Sequence, residues 1–527
     1  MQEPAIRIAG ELGFFTVVVD GNSAAPFAAA ADKFECIDLK DKEGIESFAR
    51  AVREKEGLSG IMTAGTDFSS TVAWVAEKLE LPGIPYETAL NASDKGRMRT
   101  CFKKAGLPSP EFVTLTNAET VSLDRALPFG FPLVVKPVDN MGGRGCRRVN
   151  NREEWGEAAA EAIRFSRSGK AIAEAFMEGP EFSVDAIVYN GEITICGLAD
   201  RHIFFPPFFI ETGHTMPTAF PPDQQKAILE TFCAGVRALG LADPENAGAA
   251  KGDIKLTPSG PMIGEIAARL SGGYMSGWTY PYSSGVEPIR AAILIAAGRK
   301  PDGLVPVKNG TSAERAFISI PGTVKSITGC ESARNSPHVQ NLFLRAEEGG
   351  KVSFPVNNVT KCGNIISAAG DRAAAVEAAE NAVRAVLIRL DPNDDETASF
   401  LEGGEKSSLP LSEFPPDAFP VGPELRAALA RLPETTPPVS SPFPAPRSLF
   451  PFAEFSASGL TDYAGRTIEE SLHAVRKLTG LSLSETTQKS DESSDNKYSF
   501  WGKSFWAAFI RGGYQGAVYY IDRLEKK

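Results

Sequence analysis

The sequence has no CxxC pair among its seven cysteines, no apolar run approaching the ~18 residues of a membrane span, and no Lys/Arg cluster. Each absence closes a class. Scattered cysteines in odd number argue against a disulfide framework and for buried, reduced thiols. Without a long apolar run, or a basic segment leading into an apolar one at the N-terminus, neither a membrane span nor a signal peptide is expected. The expected location is the cytoplasm. A net charge of -11 without a basic stripe argues against nucleic-acid binding. No GxxxxGK[ST] loop occurs, and no HRD or DFG segment, which excludes the P-loop and the protein kinases. There is no internal repeat.

What is present is ordinary soluble composition, 43% hydrophobic and 23% charged over 527 residues, enough for roughly three to four domains. Residues 1–90 alternate helix signals (Ala5–Leu12, Gly44–Glu56, Ser69–Leu79) with strand signals (Phe14–Asp20, Gly60–Thr63), which predicts a parallel βα layer. A βαβ unit normally begins with a strand, and this sequence opens on a helix. The sheet is therefore expected to be one strand short, or to lack its first strand here. From Phe131 to Asp200 strands dominate, and Gln224–Leu239 reads as an amphipathic helix. Strands Gly252–Thr257 and Met262–Ala267 flank the turn Pro258-Ser259-Gly260-Pro261. Glu314–Ile320 and Lys351–Phe354 read as strands and Ala373–Leu390 as one helix. Residues 396–460 are rich in Pro and Ser and read as linker. Ser482–Asn496 is polar and expected to lack fixed structure. Phe500–Asp522 carries Trp501, Phe505, Trp506, Phe509, Tyr514, Tyr519 and Tyr520, too many rings for a helix free in water, so it should dock on the body or on a second subunit.

Three segments carry chemistry. In the first, a buried strand delivers Lys136 and is followed at once by Asn140-Met141-Gly142-Gly143-Arg144-Gly145, a loop whose backbone N–H groups can close on phosphate oxygens. The bland alternative is a glycine hairpin. In the second, Glu174 and Glu181 flank a turn around Phe176-Met177; a carboxylate there can accept from an adenine amino group or a ribose hydroxyl, unless both are simply solvated. In the third, Asp253 and Glu265 sit on the two strands joined by the proline turn. Counting back from it makes them near cross-strand partners, about 5 Å apart. Like charges that close call for a cation, and Mg²⁺ with phosphate partners is the natural occupant. Arg269, four residues past Glu265, can reach the same phosphates. A further candidate is Glu211-Thr212-Gly213-His214, where an acid and an imidazole three residues apart lie beside an apolar run, fit to hold a substrate ammonium.

These segments, in this order, resemble the ATP-grasp superfamily over residues 10 to 390, together with Ser93–Arg99 and the Ala105-Gly106-Leu107-Pro108-Ser109-Pro110 loop. They look most like its carboxylate–amine ligases, which include the L-amino-acid ligases. The resemblance implies an α/β ATP-grasp fold. Its parts would be a Rossmann-like βα domain (1–90), an ATP-grasp domain (91–300), a small α/β domain (301–395), the linker, and a helical tail (461–527). It implies ATP and Mg²⁺ or Mn²⁺ as cofactors, and small-molecule carboxylate and amine substrates, with a homodimer as the candidate assembly. Lys95 and Lys136 would contact the phosphates beside Gly142, Gly143 and Gly145. Glu174 and the Phe176–Met177 backbone would hold adenine, and Glu181 the ribose. Asp253 and Glu265 would bind magnesium. Arg269, with Lys136, would be catalytic. Glu211, His214, Ser183 and Arg269 would line the substrate site. Ala267 stands where many members carry Asn, which removes one ligand of a second magnesium. The implied reaction is amide formation through an acyl phosphate. The alternatives are carboxylase-like or carbamoyl-phosphate-synthase-like chemistry, or a noncatalytic nucleotide-binding scaffold.

Overall fold

A computed structural model describes residues 2–116, 127–403, 414–431, 455–479 and 502–525. The chain divides into two compact units. The first holds Met1–Glu314 with Val356–Asn358 and Ile366–Val376; the second holds Arg315–Pro355, Val359–Ile365 and Glu377–Lys527. Both mix strands and helices, as the alternating pattern predicts. Among the described residues no helix is long and apolar enough to cross a membrane. All seven cysteines are free thiols, although only Cys196 and Cys362 are buried and Cys36 is exposed.

The first unit opens on helix Glu3–Glu11 and a two-stranded parallel sheet, β1 (Val17–Asp20) with β2 (Lys33–Cys36). Helices Lys42–Glu56 and Ser69–Lys78 follow. The strand expected at Gly60–Thr63 does not form. Backbone packing takes its place: a Cβ on Gly60 would sit 2.1 Å from the Ala296 carbonyl oxygen, and pairing reduces to one bridge between Ala64 and Leu270.

A four-stranded sheet comes next, built from β3 (Phe112–Thr116), β4 (Leu133–Pro137), β5 (Arg147–Val149) and β6 (Lys170–Ala175) in the order β3-β6-β4-β5. Helix Arg152–Phe165, capped by the Asn151 side chain, buries Trp155, Ala158, Ala159 and Ala162 in its core. The larger sheet contains β7 (Glu181–Tyr189), β8 (Glu192–Phe204), β9 (Ile210–Met216), β10 (Ala247–Thr257), β11 (Gly260–Ala267) and β12 (Thr311–Phe317), ordered β11-β10-β7-β8-β9-β12. Helix Pro222–Ala238 places Ile228, Phe232 and Val236 at i, i+4, i+8 into one face of it. Gly252 admits that helix, because a Cβ there would meet the Phe232 ring at 2.4 Å. The Glu211–His214 segment lies within strand β9.

The second unit continues with β13 (Gly322–Thr328), β14 (Val339–Leu344), β15 (Lys351–Val352), β16 (Gly363–Ala369, shared with the first unit) and β17 (Leu387–Leu390). Of these, β15-β13-β17 form a three-stranded sheet. The single helix expected over Ala373–Leu390 is a helix, Arg372–Ala385, followed by a strand. β17 finds a free partner in β13 and buries Leu387, Ile388 and Leu390 there, which outweighs continued helix. The linker expectation also needs correction where 396–460 is described. Helices Asp395–Glu402 and Pro423–Ala430 form, and Phe414, Phe419 and Phe455 are buried. Apolar rings at those positions had a core to enter. Helix Lys503–Glu525, broken at Gly513, packs Phe505, Phe509, Tyr514 and Val518 with Phe419, Phe455 and Leu472. Trp501 and Ser482–Asn496 lie outside the described residues.

Candidate active site

The proline turn sets the register of β10 on β11 as far as Ile254 opposite Ile263, and a bulge there brings Asp253 directly opposite Glu265. Ser183 on β7 faces Asp253 from the other side. Directly opposed residues point to one face of a sheet, so Ser183, Asp253 and Glu265 form a row. Cations hold it. Arg201 Nη1 lies 3.0 Å from Asp253 Oδ2, and Lys251 contacts the same carboxylate. Lys95 Nζ lies 3.4 Å from Glu265 and donates to the Asn140 carbonyl at 3.1 Å. Burial would raise the Glu265 carboxyl, but Lys95, Lys136, Lys251 and Arg269 hold it down at about 2. Burial works against the Lys95 ammonium in turn, and Glu265 and Asp67 keep its pKa above the ordinary value.

Lys136 and Glu174 are diagonal neighbours across β4 and β6, within reach of long side chains. Lys136 Nζ is 2.7 Å from Glu174 Oε2, and Arg99 Nε is 2.8 Å from Oε1. Arg99, fully buried, also donates to the Gly264 carbonyl at 2.5 Å. Each oxygen of Glu174, the residue expected at adenine, is engaged by a cation. Burial would raise its carboxyl, and Arg99 and Lys136 keep it below the ordinary range. The Phe176 N–H is likewise engaged, donating to Pro132 at 3.3 Å, while its ring stacks near Phe209 and under the Arg148 guanidinium. Met177 is half-buried beside it. Glu181 pairs with Arg201, and with Lys255 at 3.6 Å. In the glycine loop Gly142, Gly143 and Gly145 all have positive φ (69°, 77° and 65°), a region where side chains are strained.

On β9 a bulge opposite His202 and Ile203 decides the geometry. A regular strand would send residues three apart to opposite faces. With one extra residue, Glu211 pairs with Ile203 and His214 with Arg201, so both face the row. Arg201 Nη2 lies 2.8 Å from Glu211 Oε2, and His214 Nε2 lies 3.6 Å from the same oxygen. His214 Nδ1 meets the buried Glu314 Oε2 at 2.9 Å. The Asn358 side chain accepts from the Glu211 N–H at 2.8 Å, and its own N–H donates to the Gly142 carbonyl at 2.8 Å. Arg269, past the end of β11, donates to the Leu270 carbonyl at 3.0 Å, while its buried Nε has no hydrogen-bond partner among the described residues. Asp185 accepts from the Ser271 N–H at 2.8 Å and so braces that exit; burial raises its carboxyl.

Arg99, Arg201, Lys251, Asp67, Glu314 and Asn358 escaped the sequence reading. Arg201 came nearest to being legible. The Asn190-Gly191 turn marks a hairpin, but counting back from it pairs Glu181 with Asp200, and a bulge at Asp185/Ala186 shifts the partner to Arg201.

Family models match three stretches: the ATP-grasp N-terminal domain over residues 6–83, the ATP-grasp domain over 129–276, and the L-amino acid ligase C-terminal domain 2 over 316–391. The chain belongs to the ATP-grasp ligases. An uncharacterised protein of Sinorhizobium fredii is 24% identical over 64% of this chain and 70% of its own length. Carnosine synthase 1 of Gallus gallus is 24% identical over 56% of this chain, which spans only 33% of that enzyme. The solved L-amino acid ligase of Bacillus licheniformis is 23% identical and shares the fold, with a TM-score of 0.64 over 73% of this chain and 95% of that one.

Proposed function

We propose that this ATP-grasp ligase joins a carboxylate to an amine through an acyl phosphate, releasing ADP and phosphate. The observation that carries the reading is the row Ser183–Asp253–Glu265 with Lys95, Lys136 and Arg269 converging on it. Phosphoryl transfer asks a protein mainly for positioning and for charge at the transferring group, and this set supplies both.

The donor chemistry fits magnesium. Asp253 and Glu265 are hard oxygen donors opposed on neighbouring strands, and among the described residues no third acidic, His or Cys side chain joins them. Magnesium commonly takes one or two carboxylates and completes its shell with phosphates and water. Those two residues would hold it, and it would supply charge neutralisation to the phosphates. Lys95 and Lys136 would hold the phosphates under the glycine loop, whose closure would exclude water. The Glu174–Arg99 pair fixes Lys136 from behind, in place of a contact with adenine. Arg269 would stabilise charge as the substrate carboxylate attacks. Glu211 would receive a substrate ammonium beside His214, with Arg201 holding its second flank.

Incubating the protein with ATP, Mg²⁺ and pooled L-amino acids should release ADP only when the acids are present. Glu211→Ala should raise KM for the accepted amino acid far more than KM for ATP. Equal changes in both would remove Glu211 as the ammonium partner.

A further inference from the structure

The carboxylates described at the site are almost all matched. Glu174 has Arg99 and Lys136; Glu181 and Glu211 have Arg201; Asp253 has Arg201 and Lys251; Glu265 has Lys95. Asp185 has no cation but accepts from the Ser271 N–H, whereas Asp67 has neither kind of partner at close range. Among the described residues its carboxylate accepts no hydrogen bond, and its nearest cation, Arg269 Nε, is 3.9 Å away. That Nε is itself buried and unpartnered, on a side chain only 10% exposed.

The loop that presents Asp67 is fixed. Ala64 bridges Leu270, the Gln2 side chain donates to the Ala64 carbonyl at 2.5 Å, and the Thr63 and Thr66 hydroxyls are bonded to each other. Gly65 has φ +70°, and a Cβ there would lie 3.2 Å from Gly272 Cα, so the loop lies directly on the Arg269–Gly272 exit. Asp67 also acts electrostatically on Lys95. It therefore lies near both the group proposed to meet the phosphates and the group proposed to meet the acyl phosphate. The ammonium site proposed at Glu211 is a separate one, on β9.

We propose that Asp67 receives the second substrate, a primary amine arriving as its ammonium cation, and takes a proton from it as the nitrogen closes on the acyl carbon. This rests on the ligase reading and names the amine subsite within it. In the transfer the ammonium gives one proton to Asp67. The nitrogen lone pair forms the C–N bond while the acyl C–O bond breaks with its electrons on the phosphate. The remaining extra N–H proton leaves on that phosphate as hydrogen phosphate.

Hydroxylamine tests it, because it is a neutral nucleophile near neutral pH and traps acyl phosphates as hydroxamates without needing an ammonium site. With ATP, Mg²⁺ and the L-amino-acid mixture, amide and hydroxamate are measured for wild type, Asp67→Asn and Asp67→Glu. In Asp67→Asn, amide formation should fall roughly a hundredfold more than hydroxamate formation, with KM for the amine raised and partial recovery in Asp67→Glu. If amide and hydroxamate fall together, or neither falls, the assignment is overturned. A wild type that yields neither product sinks the ligase reading instead. Thermal melts of each variant separate a folding defect from either outcome.

Discussion

The two units spend their interiors differently. The first, beside rings such as Trp155 and Phe232, buries charge: Arg99, Lys95, Glu174, Asp253 and Glu314 are all nearly or wholly enclosed. The second buries rings: Phe419, Phe455, Phe505 and Phe509 stack and cross at centroid distances of 4.9 to 6.4 Å. Buried charges are costly unless paired and bring modest net stability even then, whereas buried rings contribute in proportion to area. Ion pairs enclosed in this number mark a region shaped for a charged ligand. Enclosed rings, with Gln515 bonded to Ser319, Ile320 and Ile388, mark one shaped to hold a C-terminal helix in place.

The sharpest break of this contrast is Glu265→Gln. Turnover should fall by roughly two orders of magnitude or more while the melting curve stays near wild type; wild-type ADP release from this variant would end the metal assignment. Next comes Arg99→Met, which strands the Glu174 carboxylate with one cation fewer. It should cost about 3–5 kcal/mol in denaturant unfolding, and a near-neutral result would mean that this charge is not enclosed in solution.

In the second unit Phe509→Ala should cost a similar 3–5 kcal/mol or somewhat less, by emptying a ring-sized volume. The turnover of the molecules that remain folded should be unchanged, and a specific loss of turnover would tie the tail to catalysis. The smallest effect belongs to Asp394. Its side chain caps helix Asp395–Glu402 by accepting from the Glu396 and Thr397 N–H groups, and also meets Thr323 and Lys351. Asp394→Ala should cost about 1 kcal/mol. Burial would raise this carboxyl, but those partners hold it at about 2. A depressed folded-state value means that the contribution is full above the unfolded value of ~3.9 and fades as pH falls toward 2. Melts at stepped acid pH should show that loss in wild type and a shallower one in the variant.

The sequence by itself determined the α/β class, the glycine loop, the lysine-bearing strand and, to within one residue, the pairing of Asp253 with Glu265. Each depends on local rules: period, turn chemistry, and register counted from a turn a few residues away. Tertiary structure alone decided what those residues touch. Arg99 reaches Glu174 across 75 positions, and Glu314 reaches His214 across 100. Asn358 reaches Glu211 across 147. No local pattern announces such contacts, because what brings them together is burial of the sheet faces and not spacing along the chain. Three bulges also moved partners by one residue, bringing Asp253 opposite Glu265, turning Glu211 to the face of His214 and giving Glu181 Arg201 where counting gives Asp200. A bulge inserts one residue into a ladder without a sequence signature of its own, so which face a side chain takes is settled only when the strands pair.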